Sequence, residues 1–361
     1  MARVQSVRIC DVQTGMILAK DVLTENGRVL LSQGVRLTDQ CISALRKREC
    51  PFVEVVYNER IDFHTKFRYK HNKVVRSKTA FEGFYQETVQ IIKEAFESIR
   101  LSNHLPLDVI HRLVDSHIGP LMDTYGALEY IQNIRVHCDY TYRHSINVAI
   151  ISGILGKAIE LKKSQLEDLV IAGLLHDIGK ISITLDILNK PGKLTQEEME
   201  LMKTHPENGY QFLLQYSQLA ESVKRGVLHH HERNDGSGYP KGLTKNQISY
   251  YGKIVSIADI YDAMTTDRVY RKKLTPFSVA ETLVEQMYHQ LDPNLCLAFL
   301  NTIKSSVANS IVSLSNGQQG EVVYLHPTPT ISPIIKLMDG TFLDLAKNKE
   351  IGILDIINDK I

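Results

Sequence analysis

The chain has 361 residues, 43% apolar and 23% charged, so a disordered or fibrous protein is excluded. Lys and Arg number 42 against 41 Asp and Glu, a formal net charge of +1. That leaves no basic surplus to hold a nucleic-acid polymer, although a small anion needs only a local cluster.

The N-terminal stretch MARVQSVRICDVQTGM has no apolar core segment, so no signal peptide is expected. The longest apolar run, Val148 to Leu155, is interrupted by Ser152 and Gly153. It falls well short of the roughly 20 residues a membrane span needs. Five cysteines, at 10, 41, 50, 138 and 296, form no C-x-x-C pair. A disulfide scaffold and a cysteine zinc site are therefore not expected, and a reducing cytoplasm suits the chain.

Residues 1–72 read as a small mixed α/β accessory module ending in a basic linker. Val29–Leu31 and Phe52–Val56 have strand character, and Asn26-Gly27 suggests a hairpin turn. Thr38-Asp39 precedes a short helix carrying Ile42 and Leu45. Arg60–Lys78 holds seven Lys/Arg against one Asp and reads as a solvated linker. From Phe81 the apolar spacing turns helical: Tyr85, Thr88, Ile92, Ala95, Phe96 and Ile99 share a face. That face packs on its own domain or on a second copy, as in a homodimer. Helical signals continue to about residue 307. Ser164-x-x-Glu167 and Thr195-x-x-Glu198 read as capping boxes, and Pro276 and Pro293 sit at helix starts. From Ser310 the texture is β-like, with Ile311-Val312, Val322–Tyr324 and Ile334–Leu337 as strands. The predicted division is 1–72 accessory, 73–308 a helical catalytic domain, and 309–361 a small β appendage. The fold class is mainly α.

Certain polar residues stand where the helical pattern calls for apolar ones. His144 shares a face with Val148, Ile151 and Leu155. An apolar helix ends in Leu174-Leu175-His176-Asp177-Ile178-Gly179-Lys180, and a buried carboxylate there costs several kcal/mol unless paired or bound to metal. His205-Pro206 follows, then His229-His230-His231-Glu232-Arg233, then Asp235–Pro240 with its Gly238-Tyr239-Pro240 loop. Asp259 lies in an apolar helix ahead of Asp262-Ala263-Met264. Imidazoles mixed with carboxylates make an N/O site for divalent first-row ions. Lys180, three residues beyond Asp177, can reach a ligand held there.

This ordered set resembles the HD-GYP family, a branch of the HD-superfamily phosphohydrolases, over roughly Tyr140 to Lys273. The resemblance implies an HD-type helical bundle and hydrolysis of cyclic di-GMP by a metal-bridging hydroxide. It implies one metal held by His144, His176, Asp177 and Asp259, and a second by His205, His230 and His231, with Asp177 bridging. His229 is then a structural extra. The metals implied are Fe or Mn. Lys180 would contact a phosphoryl oxygen or the leaving 3′ oxygen, and Arg268, Arg271 and Asp262 would face the substrate. Gly238, Tyr239 and Pro240 would shape the pocket mouth or dock diguanylate cyclases. Some members add a third metal through a Glu one turn before the first His. Here that residue is Tyr140, so two metals and a linear pGpG product, only slowly cut to GMP, are expected. The alternatives are a non-catalytic nucleotide receptor, a cyclase-docking protein, and a phosphodiesterase for cyclic GMP-AMP.

Overall fold

The computed structural model describes residues 3–9, 12, 16–23, 29–46, 52–57, 77–134, 140–188, 190, 192–267, 273–327 and 331–357. The Asn26-Gly27 turn, nearly all of the basic run, and Arg268 and Arg271 lie outside them. The chain divides into two compact units, Met1–His71 with Arg135–Tyr140, and Asn72–Ile134 with Thr141–Ile361.

In the first unit, β1 (Arg3–Arg8) pairs antiparallel with β5 (Phe52–Tyr57), which also pairs with β2 (Ile17–Leu18). Strands β3 (Val22–Leu23) and β4 (Val29–Leu31) pair antiparallel with each other. Helix α1 (Asp39–Arg46) starts where Thr38 Oγ1 accepts the Cys41 N–H. Its Ile42 and Leu45 close a core with Leu18, Leu37, Val53 and Val55. β1 was not expected from the sequence, because its Val-Gln-Ser-Val-Arg alternation is short and mostly polar.

The second unit opens with α2 (Lys78–Ser102), capped where Ser77 Oγ accepts the Ala80 N–H and ended by Asn103 at a φ of 54°. The face read from the sequence is buried within this unit, with Phe81, Tyr85, Ile92, Ala95 and Ile99 fully so. Each such large apolar side chain contributes about 1.5–3 kcal/mol through burial. α3 (Leu107–Leu113), α4 (Gly119–Met122) and α5 (Ala127–Asn133) lead to α6 (Tyr140–Ala158) and α7 (Lys163–Leu175). From Arg143 to Gly153 every residue of α6 is buried, and so is every residue of α7 from Leu169 to Leu175. A helix buried all round occupies the centre of a bundle.

A 3-10 turn (Ile178–Ser182) and α8 (Leu185–Leu188) follow, then α9 (Gln196–Met202), α10 (His205–Leu214), α11 (Glu221–His229) and α12 (Tyr250–Thr265). Thr195 caps α9 as expected: it accepts from Glu198 N at 3.3 Å, and the Glu198 carboxylate accepts from Thr195 N at 2.7 Å. Ser164 does not cap α7. The helix already begins at Lys163, and Gln165 Oε1 accepts the Lys162 N–H at 3.2 Å instead. Pro276 and Pro293 open α13 (Pro276–Met287) and α14 (Pro293–Val307).

The chain then forms an antiparallel sheet in the order β10-β6-β7-β8-β9. The expected strands are β6 (Ile311–Leu314), β7 (Gln319–Leu325) and β8 (Pro333–Leu337). β9 (Phe342–Asp344) and β10 (Ile353–Ile357) complete it and were not read from the sequence. Both are partly exposed edge strands whose pairing, not their pattern, makes them strands. The mainly α architecture with small sheets at both ends is as expected. Among the described residues no helix is long and apolar enough to cross a membrane.

Candidate metal centre

Three of the candidate histidines stand where a helix ends or has just ended. His176 follows α7, His205 comes three residues after the end of α9, and His230 follows α11. The last carbonyls of a helix have no intrahelical donor. Here the imidazoles supply it: Nδ1 of His176 lies 2.8 Å from Gly173 O, that of His205 2.7 Å from Met202 O, and that of His230 2.6 Å from Val227 O. A carbonyl only accepts, so each Nδ1 carries the proton and each Nε2 of the neutral ring presents a lone pair.

These lone pairs converge. His205 Nε2 lies 3.2 Å from His230 Nε2 and 3.2 Å from Asp177 Oδ1. Asp177 Oδ1 is buried and receives no hydrogen bond. With the rings neutral, three acceptor atoms thus face one another, an arrangement that a cation resolves. On the other side His144 Nε2 lies 3.2 Å from His176 Nε2 and 3.1 Å from Asp259 Oδ1. Asp177 Oδ2 reaches both rings, at 3.3 Å from His176 and 3.8 Å from His144. The two oxygens of Asp177 therefore address two different groups of nitrogens. His205, His230 and His231 form one set able to hold an ion, His144, His176 and Asp259 a second, and His176, Asp177 and His230 join them. The donor set fits divalent first-row metals.

The electrostatics agree. Burial alone would raise Asp177, yet Lys180 and His176 hold its carboxyl well below the usual carboxylate range. Asp259 is also held low despite burial, chiefly by His144. Burial pushes His231 down to about 3 and His230 well below the ordinary imidazole value, so both rings are neutral at pH 7. Burial opposes charge on His144 as well, but Asp259 and Asp262 outweigh it and lift it to about 10. On that side a proton on His144 stands where a metal would bind, and metal uptake would release it.

Lys180 Nζ is 2.5 Å from Asp177 Oδ2 and partly exposed, at the edge of the cluster. Tyr239 stacks on His231 with ring centroids 4.6 Å apart, which places the Gly238-Tyr239-Pro240 loop over the His205, His230 and His231 set. Gly238 permits this approach, since a Cβ there would meet Glu232 Cα and the His231 carbonyl at 2.5 Å. Glu232, which sequence reasoning passed over, anchors the same loop: its buried carboxylate accepts from Lys241 N and Leu243 N, each at 2.8 Å. His229 stands outside the sets, and its Nδ1 accepts the Ser249 N–H at 3.0 Å.

Asp262 corrects an expectation. It was placed at the substrate, but it is buried behind His144, accepting from His144 Nδ1 at 2.7 Å and from Asn147 Nδ2 at 2.7 Å. It orients a candidate ligand rather than meeting a substrate. Asn147 was also missed, although its place three residues after His144 on α6 puts a second polar group on that face.

A family model described as an HD domain matches residues 130–295, a stretch that contains every residue of this cluster. That stretch is an HD domain. The chain is 36% identical over 233 residues to the cyclic di-GMP phosphodiesterase PA4108 of Pseudomonas aeruginosa, covering 64% of this chain and 56% of that protein. It is 30% identical over 235 residues to the cyclic di-GMP phosphodiesterase PdeB of Borreliella burgdorferi, covering 64% and 61%. It is 32% identical over 198 residues to the 3′3′-cGAMP-specific phosphodiesterase 3 of Vibrio cholerae, covering 55% and 40%. The chain thus spans 56% and 61% of the first two relatives' lengths. The solved structure of Bd1817, an HDG"Y"P protein from Bdellovibrio bacteriovorus, superposes with a TM-score of 0.56 at 17% identity. It covers 84% of this chain and 100% of that one, a likeness of fold.

Proposed function

We propose that this chain is a metal-dependent phosphodiesterase that opens cyclic di-GMP to linear pGpG and cuts pGpG only slowly to GMP. The observation that carries the reading is the trio of facing acceptors, His205 Nε2, His230 Nε2 and Asp177 Oδ1, which calls for a cation. The names of two relatives supply the substrate class. His144, His176 and Asp259 would hold one ion, His205, His230 and His231 the other, with Asp177 shared between them. Fe or Mn are the ions we favour.

Two bound divalent ions would neutralise the phosphodiester's charge and activate water for in-line attack. Lys180 would bind a non-bridging phosphoryl oxygen or stabilise the leaving 3′ oxygen. Its ammonium already faces Asp177 and is partly open to solvent. Tyr239 and Pro240 would border the pocket mouth, and the stacking of Tyr239 on His231 favours that role over a cyclase-docking face. Arg268 and Arg271 would contact the second phosphate and a guanine, as Arg suits bidentate recognition. The name of the Vibrio cholerae relative, a 3′3′-cGAMP-specific phosphodiesterase, supports a second reading in which one base is adenine.

The test is product analysis on labelled cyclic di-GMP and cyclic GMP-AMP, using protein whose metal content has been measured. Linear pGpG from the first substrate supports the proposal, and faster turnover of the second supports the other specificity. Tight binding without turnover by fully metal-loaded protein would mean a receptor instead.

A further inference from the structure

Behind His144 a chain of buried hydrogen bonds leads out of the site to α2. Asp262 accepts the His144 Nδ1–H through one carboxylate oxygen and the Asn147 Nδ2–H through the other, both at 2.7 Å. Asn147 Oδ1 in turn accepts the Tyr85 hydroxyl at 2.6 Å. Tyr85 is fully buried on α2, Asn147 is 2% exposed and Asp262 1%. Each link has a fixed direction. A carboxylate only accepts, so Asp262 takes the Nδ2 end of Asn147, and the Oδ1 end that remains is held by the Tyr85 hydroxyl as donor. Asp262, held from that side, presents its other oxygen to His144 Nδ1. That fixes the ring's tautomer and leaves Nε2 facing His176 and Asp259.

We infer that Tyr85 and Asn147 are positioning residues that set the metal affinity of the His144 side through Asp262, so that the placement of α2 is read at the metal. The inference rests on the metal-site reading above. Partners behind a ligating histidine typically change metal affinity by about 10–100-fold when removed. Tyr85 acts through one further bond and is expected to do less. α2 is also the first described helix of the second unit, so a displacement of its start would act on this chain of bonds.

The experiment titrates Co2+ into the metal-free full chain and follows visible absorption, which reports the ligand set without turnover. The unmodified chain is expected to bind in two steps. Tyr85→Phe should weaken one step on the order of 3- to 10-fold and leave the other unchanged, and Asn147→Ala should weaken the same step by about 10–100-fold. Tyr85→Phe should add nothing in the Asn147→Ala background, because the link is already cut. A purely structural role would lower both melting temperatures and leave both Co2+ affinities in place, which would overturn the inference while the metal site stands. Full additivity of the two substitutions would also overturn it. An unmodified chain that binds no Co2+ would overturn the metal-site reading and the inference with it. Should Tyr85→Phe fail to fold, the Asn147→Ala titration decides alone.

Discussion

Asp177 is the residue on which both groups of nitrogens depend, because its two oxygens face different rings. Asp177→Ala is expected to abolish phosphodiesterase activity and remove most bound metal. His229 is next to the paired histidines but is spent on the Ser249 N–H. His229→Ala should therefore retain a substantial part of both, at a stability cost of about 1–3 kcal/mol for the unsatisfied N–H. Metal analysis and turnover on the two variants check this, and equal losses would show the histidine assignment to be shifted by one. Tyr140, one turn before His144, carries a second expectation. A phenol with an ordinary pKa near 10 is a poor anionic ligand at neutral pH. The unmodified chain should then hold two metals and release mainly pGpG, whereas Tyr140→Glu should admit a third. Anomalous scattering showing three full-occupancy metals in the unmodified protein would contradict the first part, and rapid GMP formation the second.

Among the helices, the 3-10 turn that carries Lys180 lies so close to the start of α10 that a Cβ at Gly179 would run into the His205 carbonyl and Gly209 N. Neither is a flexible side chain that could move aside. Gly179→Ala should therefore push the two elements apart, costing about 1–3 kcal/mol or more. His205 belongs to the element displaced, so metal loss should fall first on the His205, His230 and His231 set. Thermal melting together with metal stoichiometry tests this. A stable variant with full metal content would show that the contact is not tight in solution. Much of this helical framework was legible in the sequence. The α2 face and the Thr195 cap follow from spacing within one turn or two. The α7 cap was misplaced because Ser164 and Gln165 compete over the same short stretch, and the extended backbone at Lys162 decided it.

Over the whole molecule, the cluster draws side chains from α6, the end of α7, the start of α10, the end of α11, and α12. Ions held there would cross-link all five elements. A ligand that binds only the folded state stabilises it by about 4 kcal/mol at a thousandfold excess over its Kd. For a domain of this size each kcal/mol moves the midpoint by roughly 2–4 °C. Chelation should thus lower the melting temperature by roughly 8–16 °C, and reloading with Mn2+ should restore it. Calorimetry measures this, and an unchanged midpoint would mean that the metals contribute nothing to the fold.

The sequence by itself determined what short-range spacing controls: the mainly helical class, the strands β4 to β8 with alternating or β-branched residues, and the ordered run from His144 to Asp259. The family resemblance was visible because those residue types recur at motif spacing along the chain. Tertiary structure decided what depends on contacts between distant segments. His144 meets Asp262 across 118 positions, and Tyr85 meets Asn147 across 62. Whether a carboxylate faces a substrate or the back of a histidine depends on which helices pack beside it, and no local pattern carries that information. The same holds for β9 and β10, which are strands because a neighbouring strand offers them its hydrogen bonds.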